Sequence, residues 1–222
     1  MNAKIQRQTT ITDARRSLIL AAAERLLLRV GMHKASMREI AKEAGYTPGA
    51  LYSYFSSRQQ LMVALLTSVL QRLDVAVAAA MSPKGATDSQ LVLRGRAWME
   101  HLLCTPLDRQ LLVYFFTEGQ EERDGVAGML RAQVCRTLLP LAELPPLSDL
   151  PSHDMDSEID GILAHAVGLL LLSGVYPTGF GDKDAVLGLE RYLQRLDQIY
   201  RGSQALDTAS DDPHRAQIDL FN

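Results

Sequence analysis

The chain has 222 residues, of which 47% are hydrophobic and only 6% aromatic, and its net charge is −3. That length and apolar content suffice for one large or two modest domains with a real core, and a composition rich in Leu, Ala, Gln, Arg and Glu favours helices over strands. The small net charge conceals a division: residues 1–60 carry 10 Lys/Arg against 4 Asp/Glu, while residues 61–222 carry 13 against 22, so the first part suits a polyanion and the remainder does not.

Several classes are excluded early. The opening MNAKIQRQTTITD has no apolar signal segment, and the longest apolar run, ILAHAVGLLLL at 162–172, is short for a bilayer span. A soluble, cytoplasmic protein without membrane association is expected. Cys104 and Cys135 have no metal-ligand spacing around them and are expected as buried thiols rather than a disulfide. No nucleophile elbow, phosphate loop or zinc-helix motif occurs, which argues against an enzyme and leaves no cofactor or metal to assign.

In chain order, a first helix is predicted over 13–30, where Ile19, Ala22, Ala23, Leu26, Leu27 and Val30 recur at three- and four-residue spacing and Gly31 follows as a cap. A second helix opens at Ser36 with Glu39 three residues later, a capping box, and ends near Gly45. A third begins at once, with Thr47 as N-cap and Pro48 at the first helical position. Ser56 and Ser57 cap a fourth, expected over 58–81. After the break SPKGATD at 82–88, helices are predicted over 88–104, 106–118 and 121–142. The Pro-rich stretch 143–156 reads as a mobile loop, 157–174 and 183–200 as helices, and the polar residues from Gly202 as an unfolded tail. The result is an all-α chain of about nine helices. Its expected parts are an N-terminal three-helix domain (1–60), a larger helical domain (61–200) and a flexible C-terminal tail (201–222).

The stretch TPGALYSYFSSRQQL at 47–61 carries the functional argument. Ala41 lies four residues before Gly45 and Leu51 six after it. A small residue permits a close crossing, a glycine permits the turn, and a leucine fills the angle between the helices, which is helix-turn-helix geometry. Thr47, Pro48, Gly49 and Ala50 at the start of the second helix can then approach base edges, with Ser53 one turn on. Tyr52, Tyr54 and Arg58 are expected to reach phosphates, as is Ser36 at the cap of the preceding helix.

The segments IL.AA..LL...G from Ile19 to Gly31 and S..EIAKEAGYTPGALYSYFSSRQQL from Ser36 to Leu61 resemble the DNA-binding domain of the TetR/AcrR family of bacterial regulators. That family commonly has lysine where this chain has Arg58, and a basic or aromatic residue where it has Ser53. The resemblance implies an all-helical homodimer, usually a repressor, whose divergent C-terminal domain binds a small-molecule inducer.

The residues themselves also bear on assembly. One recognition helix covers few base pairs, so specific binding of a palindromic operator in double-stranded DNA needs two of them about 34 Å or more apart. The expected homodimer face combines Ala164, Gly168 and Leu171 with Leu189, Tyr192 and Leu196. Candidate contacts for the inducer are Trp98, Met99, Leu102, Tyr114, Phe115, Met129 and His165, each of which also suits a plain core. Finally, Gln217, Ile218, Asp219, Leu220 and Phe221 resemble the pentapeptide by which many bacterial replication proteins hold the sliding clamp. Gln217 would bond the rim of an apolar pocket filled by Leu220 and Phe221. The alternative is that Leu220 and Phe221 fold back on their own chain. A DNA-bound adaptor recruiting such a partner is the alternative to a ligand-responsive regulator.

Overall fold

The structure, a computed structural model, describes residues 3–80, 89–117, 128, 129, 132, 136, 152–175 and 179–210. Among them are eight helices and no strand: α1 (Ala3–Val30), α2 (Met37–Ala44), α3 (Pro48–Tyr54), α4 (Arg58–Ala79), α5 (Gln90–Cys104), α6 (Pro106–Thr117), α7 (Ser152–Val175) and α8 (Asp182–Ser210). The all-α expectation holds, and most helix starts fall within two residues of those predicted from caps and periodicity.

Three ends differ. α1 begins ten residues before the predicted Asp13, because the residues ahead of the apolar stripe, although polar, contain neither glycine nor proline to stop a helix. α7 takes in residues 152–156, which had been assigned to the loop after Pro151. α8 runs on to Ser210, so the first nine residues of the expected tail are helical. The predicted helix over 121–142 lies mostly outside the described residues, although Gly128, Met129, Ala132 and Arg136 are helical. Cys104, expected to be buried, is exposed at the last position of α5, and Cys135 lies outside the described residues.

Contacts divide the chain into two compact units, one of residues 1–72 with 104–129 and one of residues 73–103 with 130–222. The division thus falls inside α4 rather than at residue 60, and α6 joins the N-terminal helices.

The core of the first unit follows the periodicity. Ile19, Ala22, Ala23, Leu26 and Leu27 of α1 are buried, as are Ile40 and Ala41 of α2, Leu51 of α3, Phe55, and Leu61, Leu65 and Val69 of α4. Each fully buried leucine contributes about 1.5–3 kcal/mol relative to an exposed one. At the unit's centre, Arg72 of α4 donates to both carboxylate oxygens of Asp108 on α6 (2.9 and 2.5 Å) and to Glu24 of α1 (3.0 Å). Asp108 is fully buried and Arg72 is half-buried, so one guanidinium holds three helices through charge-assisted bonds. The hydrogen bond to Asp108 is the main cause that raises the Arg72 pKa above its ordinary value.

Two helical stretches, Arg58–Ala79 and Ser157–Gly174, are long and apolar enough to cross a membrane by length and composition. In α4, however, Leu61, Met62, Leu65, Leu66, Val69 and Leu73 are all buried, with Arg72 paired among them. That is the pattern of a core helix.

In the second unit, Gly95 of α5 leaves no room for a Cβ beside Leu193 of α8, and Gly188 sits 3.0 Å (at Cβ distance) from Leu169 of α7. Arg96 pairs with the buried Glu190.

The two ends of the Arg72–Asp108 pair should not be equivalent. Arg72→Ala removes the guanidinium from a fully buried carboxylate and should cost about 3–5 kcal/mol, whereas Asp108→Ala leaves a half-buried guanidinium that still reaches Glu24 and solvent, costing about 1–3 kcal/mol. Urea unfolding of both variants checks the order; an equal or reversed cost would show that the pair is not organised around the buried acid.

Candidate nucleic-acid interface

Residues 36–55 fold locally for identifiable reasons. The Ser36 hydroxyl accepts from the Glu39 amide (3.3 Å), while the Ser36 amide donates to the Glu39 carboxylate (2.9 Å), completing the predicted capping box. These bonds, the Ser36 amide first and its hydroxyl second, hold the Glu39 pKa below its ordinary value. At the other end of α2, Gly45 adopts φ 75°. Its amide donates to the Lys42 carbonyl (3.2 Å) and the Tyr46 amide to the Ala41 carbonyl (2.8 Å), the paired bonds of a Schellman C-cap. Thr47 then caps α3 by accepting from the Ala50 amide (3.2 Å). Ala41 and Leu51 are fully buried, so the small residue and the leucine occupy the helix crossing as predicted.

With Leu51 and Phe55 turned inward, the opposite side of α3 faces solvent. Thr47, Pro48, Gly49, Tyr52 and Ser53 are exposed and Ala50 is half-buried. Gly49 has nothing within 4 Å of a Cβ built on it, so its outer side is open.

The expected phosphate contacts divide. Tyr52, 51% exposed, projects from the helix. Tyr54 is half-buried, its ring edge-on to Tyr46 at 5.8 Å, and its hydroxyl accepts from Arg15 (3.1 Å). Ser36 is exposed but committed to its capping box. Arg58 requires a correction. Rather than projecting toward a phosphate, its half-buried guanidinium donates to the Met32 carbonyl (3.0 Å) and the Tyr114 hydroxyl (3.2 Å), because the first turn of α4 lies against the α1–α2 connection and α6. It joins the helix-turn-helix to α6.

Two residues were missed at the sequence level. Arg16 donates to the Tyr54 carbonyl (2.7 Å) with its guanidinium 4.3 Å from the centre of the buried Phe55 ring, and Arg15 holds the Tyr54 hydroxyl. Their signal was their position one turn before Ile19, at the head of the apolar stripe. Glu43 of α2 accepts from Arg29 (2.6 Å) and lies 3.6 Å from Arg25, which lowers its pKa and ties α1 to α2.

The sequence profile of bacterial regulatory proteins of the tetR family matches residues 19–65, which span this assembly. Residues 19–65 are thus a TetR-type N-terminal domain. Among its relatives, the HTH-type transcriptional regulator PksA of Bacillus subtilis is 40% identical over 70 residues, 29% of this chain and 34% of that protein. The HTH-type transcriptional activator FasR of Mycolicibacterium smegmatis is 37% identical over 82 residues, 37% of this chain and 36% of that protein. These matches therefore span about a third of each relative. The multidrug binding protein EbrR, solved with imidazole, has the same fold over 80% of this chain and 93% of its own, with a TM-score of 0.56 and 20% identity.

The residues expected to touch an inducer are divided between the two units. Trp98, Met99, Leu102 and His165 belong to the second unit, and Tyr114, Phe115 and Met129 to the first. Trp98, Met99, Leu102 and Phe115 are buried, while Tyr114, Met129 and His165 are half-buried. His165 stacks on Tyr192 (4.3 Å, 18°). The Trp98 Nε1 and His165 Nε2 atoms are buried without a hydrogen-bond partner.

The expected dimer face also divides. Ala164 and Leu171 are exposed on α7, and Gly168 has open space above it. Leu189 is fully buried beside Gly95 and so belongs to the interior of its own chain, contrary to expectation. Tyr192 and Leu196 are half-buried, and the Tyr192 hydroxyl lies 3.2 Å from a Cβ position on Gly161. The clamp-like Gln217, Leu220 and Phe221 lie outside the described residues.

The capping box predicts a pH signature. Because Glu39 is held below its ordinary pKa of 4.5, its contribution is present above that value and fades as pH falls through the lower folded value. Glu39→Ala should therefore lower the thermal midpoint at neutral pH, with the gap to the parent closing in acid. A gap that stays constant into acid would mean that the carboxylate is not responsible.

Proposed function

We propose that this protein is a DNA-binding transcriptional regulator that acts as a homodimer on a palindromic operator and is released from it by a small-molecule ligand. The observation that carries the reading is the outward face of α3: Thr47, Pro48, Gly49, Tyr52 and Ser53 are exposed on a helix whose other side, Leu51 with Phe55 at its end, is locked in the core. Such a helix can enter a major groove without losing any packing. Gly49 and Ala50 let the backbone come near base edges, while the Tyr52 hydroxyl suits a phosphate.

Two recognition helices are needed for specificity, and the Ala164, Gly168 and Leu171 stripe of α7, continued by the exposed Leu172, supports self-association through small and apolar side chains. A ligand role is supported by the Trp98 and His165 nitrogens, since buried polar atoms usually have partners and a bound molecule with polar groups would provide them. EbrR shares the fold and is a multidrug binding protein, which favours the same arrangement here. A ligand acting on α6 would reach the DNA-binding helices through Tyr114, whose hydroxyl accepts from Arg58, and through Asp108, which holds Arg72. Release from an operator describes a repressor.

Selection of bound duplexes from random DNA should return a palindrome whose half-sites are about one helical turn, or a multiple of it, apart. Against that sequence, Tyr52→Phe should weaken binding roughly 2- to 10-fold without changing the preferred bases. Gly49→Leu, which the open space above Gly49 accommodates, should alter the selected bases or abolish binding while the fold is kept. Recovery of an identical sequence by the Gly49 variant would remove α3 from the readout.

A further inference from the structure

α1 carries twelve residues, Ala3 to Ala14, ahead of the arginines that meet α3. At 1.5 Å per residue this arm is about 18 Å long, or some five base pairs of duplex. Its composition is one-sided: residues 1–12 contain Lys4 and Arg7 and no acid. Arg7, Ile11, Arg15 and Leu18 are spaced by four, four and three residues and so lie along one stripe of the helix. All four are exposed, Ile11 by 53% and Leu18 by 64%. Asp13, the first acid, is two residues from Ile11 and therefore about 200° round the helix, on the other side.

The direction of the stripe follows from Arg15. Its guanidinium donates to the hydroxyl of Tyr54, the last residue of α3, so the stripe meets the C-terminal end of α3 at Arg15. The partner of Arg15 is a phenol rather than a carboxylate, so the cation is not neutralised there.

We propose that residues 3–15 of α1 form a second DNA-contacting element, a helical arm that continues the surface of α3 and grips the sugar-phosphate backbone flanking the bases that α3 reads. Arg7 and Arg15 supply the charge, and the exposed Ile11 between them lies against deoxyribose. The arm adds affinity and salt dependence without adding base preference, because backbone contacts carry no sequence information. This inference rests on the DNA-binding reading above.

The test compares the parent chain, a form lacking residues 2–12, and the full-length variant Arg7→Gln, which keeps the helix. Affinity for the duplex selected by the parent is measured by fluorescence anisotropy across a salt series. Loss of the Arg7 phosphate contact should reduce the slope of log affinity against log salt by about 0.9, so the parent's advantage shrinks roughly three- to fourfold between about 50 and 200 mM salt. Both altered proteins should select the same bases as the parent, and hydroxyl-radical footprints should lose protection at the flanks only. Parallel salt lines for all three would overturn the inference while leaving α3 as the reader. Parallel lines together with arm-dependent binding to anionic phosphatidylserine vesicles would overturn it in favour of a membrane surface. A parent chain that binds no duplex even at low salt would overturn the DNA-binding reading itself.

Discussion

At Gly45 the backbone turns through a left-handed conformation, and the two short helices on either side can cross only because it does. A residue with a Cβ pays about 1–2 kcal/mol to enter that conformation, and the two bonds that close the turn, from Gly45 and Tyr46, exist only when it is adopted. With the turn in place, Ala41 and Leu51 meet in the core. From that contact follows the orientation of α3, and from the orientation follows which of its side chains reach solvent. The presentation of Thr47, Gly49 and Tyr52 is thus a consequence of packing behind them.

The surrounding contacts stiffen this unit through charged groups rather than through a larger core. Glu43 is bonded to Arg29, Arg16 holds the end of α3, and Arg58 reaches Met32 and Tyr114. Each arginine uses its planar, multi-donor head to connect two or three segments at once, which a lysine in the same place does not do. Arg72 is the extreme case, with bonds to α1 and α6 from the middle of α4. Within the first unit α6 is bonded to α4 at two points, Asp108 to Arg72 and Tyr114 to Arg58, so the two helices are held together by charged side chains as well as by their core residues.

Roles that residue type suggested have been redistributed. Tyr52 and Tyr54 look equivalent in sequence, yet two residues along a helix is about 200°, so Tyr52 projects outward while Tyr54 turns back to Arg15. Arg58 follows α3 closely enough to suggest a phosphate contact, and packing against α6 takes it elsewhere. Leu189 has the spacing of an interface residue but fills space beside Gly95.

By itself the sequence determined the helical class, the caps at Ser36 and Thr47, the turn at Gly45 and the inward residues Ala41 and Leu51, because these depend on backbone torsion and on spacing within a few residues. It also contained the family motif, from Ile19 to Gly31 in the second half of α1 and from Ser36 through α2 and α3 to Leu61. Only the tertiary structure decided the partners of Arg15, Arg58, Arg72 and Asp108, the grouping of α6 with the N-terminal unit, and which side of α7 remains exposed. Those outcomes join residues 26 to 56 positions apart in the chain or depend on which faces neighbouring helices cover. A long charged side chain can satisfy its hydrogen bonds in many places, and the choice is made by whichever helix the fold sets beside it.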